Sequence, residues 1–148
     1  MTVEALMTRK VTTCGDASSL ADVARLMWQH DIGFLPVVGS SGGALLLGVI
    51  TDRDICMAAW LQGKPLTEIS VRSAMAQPAV CCAPQMDLYE AECLMRKHQV
   101  HRLPVVSNGA LIGVLSLNDL ARRNTQERDE RLEENVAETL AAIATPRR

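Results

Sequence analysis

The chain has 148 residues, of which 48% are hydrophobic and 3% aromatic, and its formal net charge is −2. This length allows one compact domain or two small repeats with an aliphatic core. The near-zero charge excludes the basic footprint of a nucleic-acid or membrane-surface protein, and no apolar run approaches the roughly 20 residues that span a bilayer. Because residues 1–10 lack the apolar stretch of a signal peptide, we expect a cytoplasmic protein.

The first half of the chain predicts the element order β-α-β-β-α. After a lead-in in which Val3 and Met7 are spaced i, i+4, Ser18 or Ser19 caps the first helix. The predicted elements are, in chain order, a strand over 11–14, a helix from Leu20 to about Asp31, strands over 34–38 and 44–50, and a helix from Asp52 to about Leu61.

Residues 62–70 predict a connector, because Gly63 and Pro65 break the preceding helix. The same order of elements then follows. Asp87 caps a helix with Glu90 at the capping-box position, and residues 107–109 form a tight hairpin turn. The second set consists of a strand over 79–82, a helix after Asp87, strands over 102–106 and 111–115, and a helix that begins at Ser116.

The two halves are an internal repeat. Met7 matches Met75 and Pro36 matches Pro104, both 68 residues apart, whereas Gly48 and Gly113 are 65 residues apart because one turn is shorter. We expect an α+β fold of two β-α-β-β-α repeats, packed with pseudo-two-fold symmetry because neither buries its sheet alone. The predicted divisions are repeat 1 (1–61), a connector (62–70), repeat 2 (71–123) and a charged C-terminal helix with a frayed tail (124–148).

Each repeat carries a hydroxyl residue at the end of a strand and an aspartate three residues later. These are Thr51 with Asp54, and Ser116 with Asp119. A hydroxyl at a helix start lies beside backbone N–H groups that bind anions, and the carboxylate can accept hydrogen bonds from sugar hydroxyls. The same spacing also describes a capping box that only starts a helix.

The five cysteines do not suggest a disulfide framework or a zinc ribbon, because their number is odd and no CxxC pair is present. Cys81 and Cys82 are adjacent in a predicted strand, so their side chains point to opposite faces. We interpret the cysteines as small buried hydrophobic residues. A redox role for Cys81, Cys82 or Cys93 is the less favoured alternative.

The tail from Arg122 onward predicts a helix with a solvated face and an apolar stripe of Leu132, Val136, Leu140 and Ile143. It either packs back on its own domain or forms a dimer contact. Trp28 and Trp60 have no counterparts in repeat 2. An exposed Trp is one sign of an interface, and burial or a surface position without a role is the equal alternative.

The two repeats together resemble a tandem pair of CBS domains, a Bateman module. The resemblance covers about residues 1–123 and is carried by the segments 31–38 with 48–54, and 101–106 with 113–119. It implies a stand-alone regulatory module rather than an enzyme. It also implies an adenosine ligand between the repeats (AMP, ADP or ATP, with S-adenosylmethionine as a further candidate), a homodimer that buries the helices following the motifs, and an unidentified target protein.

Two ligand sites follow from this resemblance, residue by residue. The main site combines Val49, Thr51, Arg53, Asp54, Val80, Val100, His101 and Arg102. The second, weaker site combines Val11, Ile32, Gly33, Phe34, Val114, Ser116, Asn118 and Asp119. The sites are unequal because Arg102 can grip a phosphate through two nitrogen atoms, whereas Phe34 cannot neutralise one. No catalytic motif, metal site or required cofactor is expected. The alternative function is a stress-response or protein-interaction module without a physiological nucleotide.

Overall fold

The computed structural model of the chain describes residues 1–40, 42–127 and 130–146, with side chains for 1–40, 42–123 and 134–146. Its elements are α1 (Val3–Leu6), β1 (Cys14–Gly15), α2 (Leu20–His30), β2 (Phe34–Val38), β3 (Leu46–Thr51), α3 (Asp52–Gln62), two 3₁₀ turns (Leu66–Glu68 and Val71–Ser73), α4 (Leu88–His98), β4 (Arg102–Ser107), β5 (Ala110–Ser116), α5 (Leu117–Glu127) and α6 (Glu130–Ala144). The predicted α+β class with two similar sets of elements is confirmed.

The helices of the first half begin where the capping residues predict. Ser19 and Thr51 each form a complete capping box at the starts of α2 and α3. The box predicted for Asp87 and Glu90 is wrong. One oxygen of Asp87 accepts from the N–H of Tyr89 at 2.9 Å, and the other from the chain's amino terminus at 3.1 Å. Asp87 therefore caps α4 without Glu90.

The strands form two small sheets. β2 pairs antiparallel with β3 and parallel with β1, while β4 pairs with β5 across Asn108 and Gly109, both of which have positive φ. Both φ values suit a two-residue hairpin turn, as predicted. The strand predicted over 11–14 is shifted and shortened to Cys14–Gly15. The strand predicted over 79–82 is a single parallel bridge from Cys82 to Val105, because only the backbone of Cys82 meets β4.

The chain forms two compact units, which we name by their motifs. The Thr51 unit comprises Thr12–Ala79 with Gly109–Leu111, and the Ser116 unit comprises Met1–Val11, Val80–Asn108 and Ile112–Arg148. Each has its own aliphatic core. The units cut across the sequence repeats, because the lead-in of each repeat is part of the unit that carries the other repeat's motif.

These exchanged lead-ins explain the two matching glycines of the repeat. In the Thr51 unit, Val49 and Ala76 exchange backbone hydrogen bonds of 3.1 and 2.8 Å. A Cβ on Gly48 would lie 2.7 Å from the carbonyl oxygen of Ala76. In the Ser116 unit, a Cβ on Gly113 would lie 2.7 Å from the sulfur of Met7. Glycine at each position lets the lead-in backbone approach the strand.

The C-terminal helix α6 packs back on α4 and α5 within the Ser116 unit. Val136 and Thr139 are buried, whereas Leu140 is 48% exposed. The predicted stripe is therefore wrong at Leu140, because the inward row follows 136, 139 and 143. Leu132 lies outside the described side chains. Across residues 1–40, 42–127 and 130–146, no helix has the length and apolar character needed to cross a bilayer.

Candidate functional site

The Thr51 motif joins the end of β3 to the start of α3. The backbone N–H and the Oγ1 hydroxyl of Thr51 both donate to Asp54 Oδ2, each at 2.8 Å, and the N–H of Asp54 donates back to Thr51 Oγ1 at 3.2 Å. The motif is therefore a capping box, and its aspartate has a fixed orientation.

The start of α3 has no amide left for an anion. The N–H of Asp52 donates to the carbonyl of Gly33 at 3.2 Å, and that of Arg53 to Asp52 Oδ1 at 2.8 Å. The third amide, of Asp54, donates to Thr51. The hydroxyl and helix start therefore do not supply the backbone anion site that their spacing suggested. A phosphate here would depend on basic side chains.

The Ser116 motif repeats this geometry at the junction of β5 and α5. Asp119 Oδ2 accepts from the N–H and the hydroxyl of Ser116 at 2.9 and 2.5 Å, and the N–H of Asp119 donates to Ser116 Oγ at 3.2 Å. In addition, Arg122 Nη2 lies 2.5 Å from Asp119 Oδ1. Both oxygens of this carboxylate are therefore engaged.

The two aspartates differ in whether a carboxylate oxygen can still accept a hydrogen bond from a ligand. Asp54 is half-buried, and its Oδ1 accepts no hydrogen bond from any residue in the described part of the chain. Asp119 is only 8% exposed. The residue that matches Arg122 is Met57, which cannot pair with a carboxylate. Asp54 thus keeps one acceptor oxygen beside its capping box.

Each motif has a predicted site segment beside it in its own unit. The Asp52 N–H bond to Gly33 brings residues 32–34 to the Thr51 motif. The N–H of Leu117 donates to the carbonyl of His101 at 2.9 Å, which brings His101 and Arg102 to the Ser116 motif.

The predicted main site draws on both units. Val49, Thr51, Arg53 and Asp54 belong to the Thr51 unit, and Val80, Val100, His101 and Arg102 to the Ser116 unit. Of the second site, Ile32, Gly33 and Phe34 belong to the Thr51 unit, and Val11, Val114, Ser116, Asn118 and Asp119 to the Ser116 unit. Arg53, His101 and Asn118 are exposed, whereas most of the other side chains are half-buried. Joining these residues into two sites stays a prediction.

The sequence did not indicate a groove of about 400 Å³ between α2 and α3 in the Thr51 unit. It is lined by Ala24, Met27, Trp28, Asp31, Ile32, Gly33, Asp52 and Ile55. Trp28 is 88% exposed. The sequence did distinguish this face in one respect. Trp28 aligns with Arg96 of the second repeat, so the aromatic residue is specific to the first repeat.

Two cysteines occupy matching buried positions. The thiols of Cys14 and Cys82 lie 3.9 and 3.8 Å from the carbonyl oxygens of Pro36 and Pro104. Burial raises the pKa of Cys14 to about 11 and that of Cys82 to about 12. Since the thiolate is the reactive form, these thiols are poor nucleophiles at neutral pH. Cys56 and Cys81 are exposed, so the interpretation of the cysteines as buried residues is wrong for these two. Because Cys82 is buried and Cys81 is exposed, the neighbouring side chains do point to opposite faces.

Comparison with known proteins places this geometry in a family. The CBS domain family model matches residues 3–60 and 71–124. The CBS domain-containing protein YhcV of Bacillus subtilis is 37% identical over 119 residues, which are 80% of this chain and 82% of YhcV.

Two solved structures share the fold. A structure of Hypoxic Response Protein I with two coordinated zinc ions matches with a TM-score of 0.75 and 30% identity, over 82% of this chain and 98% of that one. The described residues of the present chain bring together no group of three His, Cys, Asp or Glu side chains that could hold a metal. The structure of CBSX2 in complex with AMP matches with a TM-score of 0.74 and 24% identity, over 86% of this chain and 98% of that one. The chain therefore belongs to the CBS domain family, and it carries two CBS domains in tandem.

Proposed function

We propose that the chain is a non-catalytic regulatory module that binds an adenine nucleotide of the AMP, ADP or ATP class. The observation that carries this proposal is the open Oδ1 of Asp54, held in place by the Thr51 capping box. A carboxylate oxygen in a fixed orientation can accept hydrogen bonds from two hydroxyl groups of one ribose while the other oxygen keeps its capping bonds.

The phosphate is assigned to basic side chains. Arg53 and His101 are exposed, and with Arg102 they form the basic part of the predicted main site. An arginine can meet a phosphate through two parallel hydrogen bonds. The second site, at Ser116 and Asp119, is the weaker one in this proposal. A ribose there would have to displace Arg122 from Asp119.

The fold supports an adenosine ligand, since CBSX2 holds AMP in its crystal structure. S-adenosylmethionine carries the same adenosine group and is the further candidate. The proposal includes a homodimer and a target protein that reads the bound state, in the cytoplasm.

Calorimetric titration of AMP, ADP, ATP and S-adenosylmethionine tests the proposal with a matched pair of variants. Asp54→Asn keeps the shape and a capping oxygen but removes the charge. We expect it to weaken AMP binding about tenfold or more, as for a lost charged hydrogen bond. Asp119→Asn should change AMP binding by less than about threefold. Equal losses from both variants, or an effect confined to Asp119, would contradict the assignment of the site.

A second function is favoured by the capping boxes themselves. Both aspartates already act as helix caps, so the motifs have a structural role without any ligand. An interaction or stress-response module would keep them for this reason. It predicts that none of these ligands raises the melting temperature, because a ligand that binds only the folded chain must stabilise it.

A further inference from the structure

The carboxylate of Asp119 has one oxygen that the helix cap does not use. Its Oδ2 accepts hydrogen bonds from the N–H and the hydroxyl of Ser116, whereas its Oδ1 accepts from Arg122 Nη2 at 2.5 Å. This Oδ1 is the counterpart of the Asp54 oxygen that the proposed function assigns to a ribose. Arg122 therefore occupies the place of a ligand hydroxyl at the second motif.

The Arg122 side chain can leave this place at little cost to the rest of the fold. It is 75% exposed, whereas the side chain of Asp119 is 9% exposed. Among the residues with described side chains, Arg122 has no other hydrogen-bond or ion-pair partner. A ligand that displaces the guanidinium thus breaks one ion pair and uncovers no apolar core.

The charge of the ligand determines whether this displacement is offset. A ribose hydroxyl is a neutral donor, so it replaces the hydrogen bond to Asp119 but leaves the guanidinium without an anion. A phosphate on the same ligand can accept the released guanidinium through two parallel hydrogen bonds. Adenosine has no phosphate, and S-adenosylmethionine carries a positive sulfonium group, so neither compensates for the broken pair.

The first motif has its arginine at a different position. Arg53 precedes Asp54, is exposed, and its guanidinium has no hydrogen bond or ion pair within the described residues. The second motif has Asn118 at that position, and its arginine follows the aspartate by three residues. A ribose therefore reaches Asp54 without competition, whereas at Asp119 it competes with a cation.

We propose that Arg122 determines the ligand specificity of the second site, which binds adenosine compounds that carry phosphate and excludes those that do not. Arg122 competes with the ribose for Asp119 and, once displaced, binds the phosphate. The inference rests on the proposed function, because it needs a ribose at these aspartates. It adds to the second site a basic residue that the family resemblance did not assign to it.

Calorimetric titration of ATP, adenosine and S-adenosylmethionine into Asp54→Asn tests this role, because that variant weakens the main site. ATP should bind more tightly than the other two ligands. Adding Arg122→Met, which installs the matching residue of the first repeat, should tighten adenosine binding about three- to tenfold, the range expected for a partly exposed charged pair. It should not tighten ATP binding. The ratio of the adenosine and ATP dissociation constants should therefore fall at least about threefold.

Three further variants distinguish specificity from a structural role. Arg122→Lys keeps the cation and should retain the preference for ATP. Asp119→Asn, added to Arg122→Met, should remove the gain in adenosine binding. Met57→Arg, in the otherwise wild-type chain, should place a guanidinium beside Asp54 and weaken adenosine binding more than ATP binding. Circular dichroism and the melting temperature without ligand check that each variant is folded.

The outcomes separate the role of Arg122 from the proposed function. If the wild type binds ATP through Asp54 but Arg122→Met leaves the adenosine-to-ATP ratio unchanged, the role of Arg122 is wrong and the main site stands. A preference for ATP that survives Arg122→Met would belong to another basic side chain, such as His101 or Arg102 beside this motif, and would also overturn the inference. If the wild type binds none of the three ligands, both the inference and the proposed function are wrong.

Discussion

Glu92 is a buried carboxyl group on the inner face of α4. It is 1% exposed, and neither of its carboxyl oxygens has a hydrogen-bond partner in the described part of the chain. Burial raises the pKa of Glu92 to about 7. The positive charge of Arg96 lowers this pKa, and the negative charge of Asp87 raises it further. The matching residue of α2 is Ala24, so the fold of a repeat does not require a carboxyl group at this position.

The stability of the chain should therefore depend on the protonation of Glu92. Its folded pKa lies above the ordinary 4.5, so its contribution is fully present below about pH 4.5 and is lost as the pH rises through about 7. The loss is on the order of 3 kcal/mol at 1.36 kcal/mol per pKa unit. Urea unfolding across this window should show the loss in wild type and not in Glu92→Gln.

Glu90 provides the control for this prediction, since it is an exposed glutamate on the same helix. Glu90→Gln should keep the wild-type pH dependence. Asp16, Asp22 and Asp87 have pKa values lowered by hydrogen bonds, so their stabilisation is lost only at lower pH, outside the window. Parallel pH curves for wild type and Glu92→Gln would refute the ionisation argument.

Residue spacing predicted the two hydroxyl–aspartate motifs and their helix caps correctly. It did not predict that the two carboxylates differ. The signal was present, because Asp119 and Arg122 are spaced i, i+3 on a helix. Arg122 occupies the second carboxylate oxygen of Asp119. Met57, at the matching position of the first repeat, cannot do the same for Asp54.

At the scale of elements, α6 shows which part of a helical stripe is buried. Val136 is buried at 7% exposure, whereas Leu140 is at 48%. Val136→Ala should lower the free energy of unfolding by about 1–3 kcal/mol, through lost burial and a cavity. Leu140→Ala removes a larger side chain but should cost less than about 0.5 kcal/mol. Urea unfolding of both variants measures this. A larger loss for Leu140→Ala would show that the stripe read from the sequence is the packed one.

At the scale of the whole molecule, we expect the compact units, rather than the sequence repeats, to fold independently. The fragment 12–79 keeps Ile69, Val71 and Met75, which are all buried in the core of the Thr51 unit. The fragment 1–61 lacks them. We expect cooperative thermal unfolding of the first fragment, by circular dichroism, and a broad non-cooperative change for the second.

The comparison of these fragments also tests the exchanged lead-ins. Residues 1–11, which the first fragment omits, contribute Val3 and Met7 to the other core. If the fragment 1–61 unfolds cooperatively and 12–79 does not, the exchange of lead-ins is wrong.

The local pattern of the chain was sufficient for the helices, the hairpin strands of both sets, the repeat, the turn at Asn108–Gly109 and the helix starts at Ser19 and Thr51, but not for the first strand of either set. These depend on interactions between residues a few positions apart, which spacing reveals directly. Three features depend on contacts between distant segments instead: the exchange of lead-ins against Gly48 and Gly113, the covering of α4 and α5 by α6, and the exposure of Trp28. Side-chain volume, a missing Cβ and the rotation of a helix about its axis determine those contacts, and none of them is expressed in the hydrophobic pattern of a single segment. The Thr51 unit thereby keeps an open groove where the Ser116 unit has a helix.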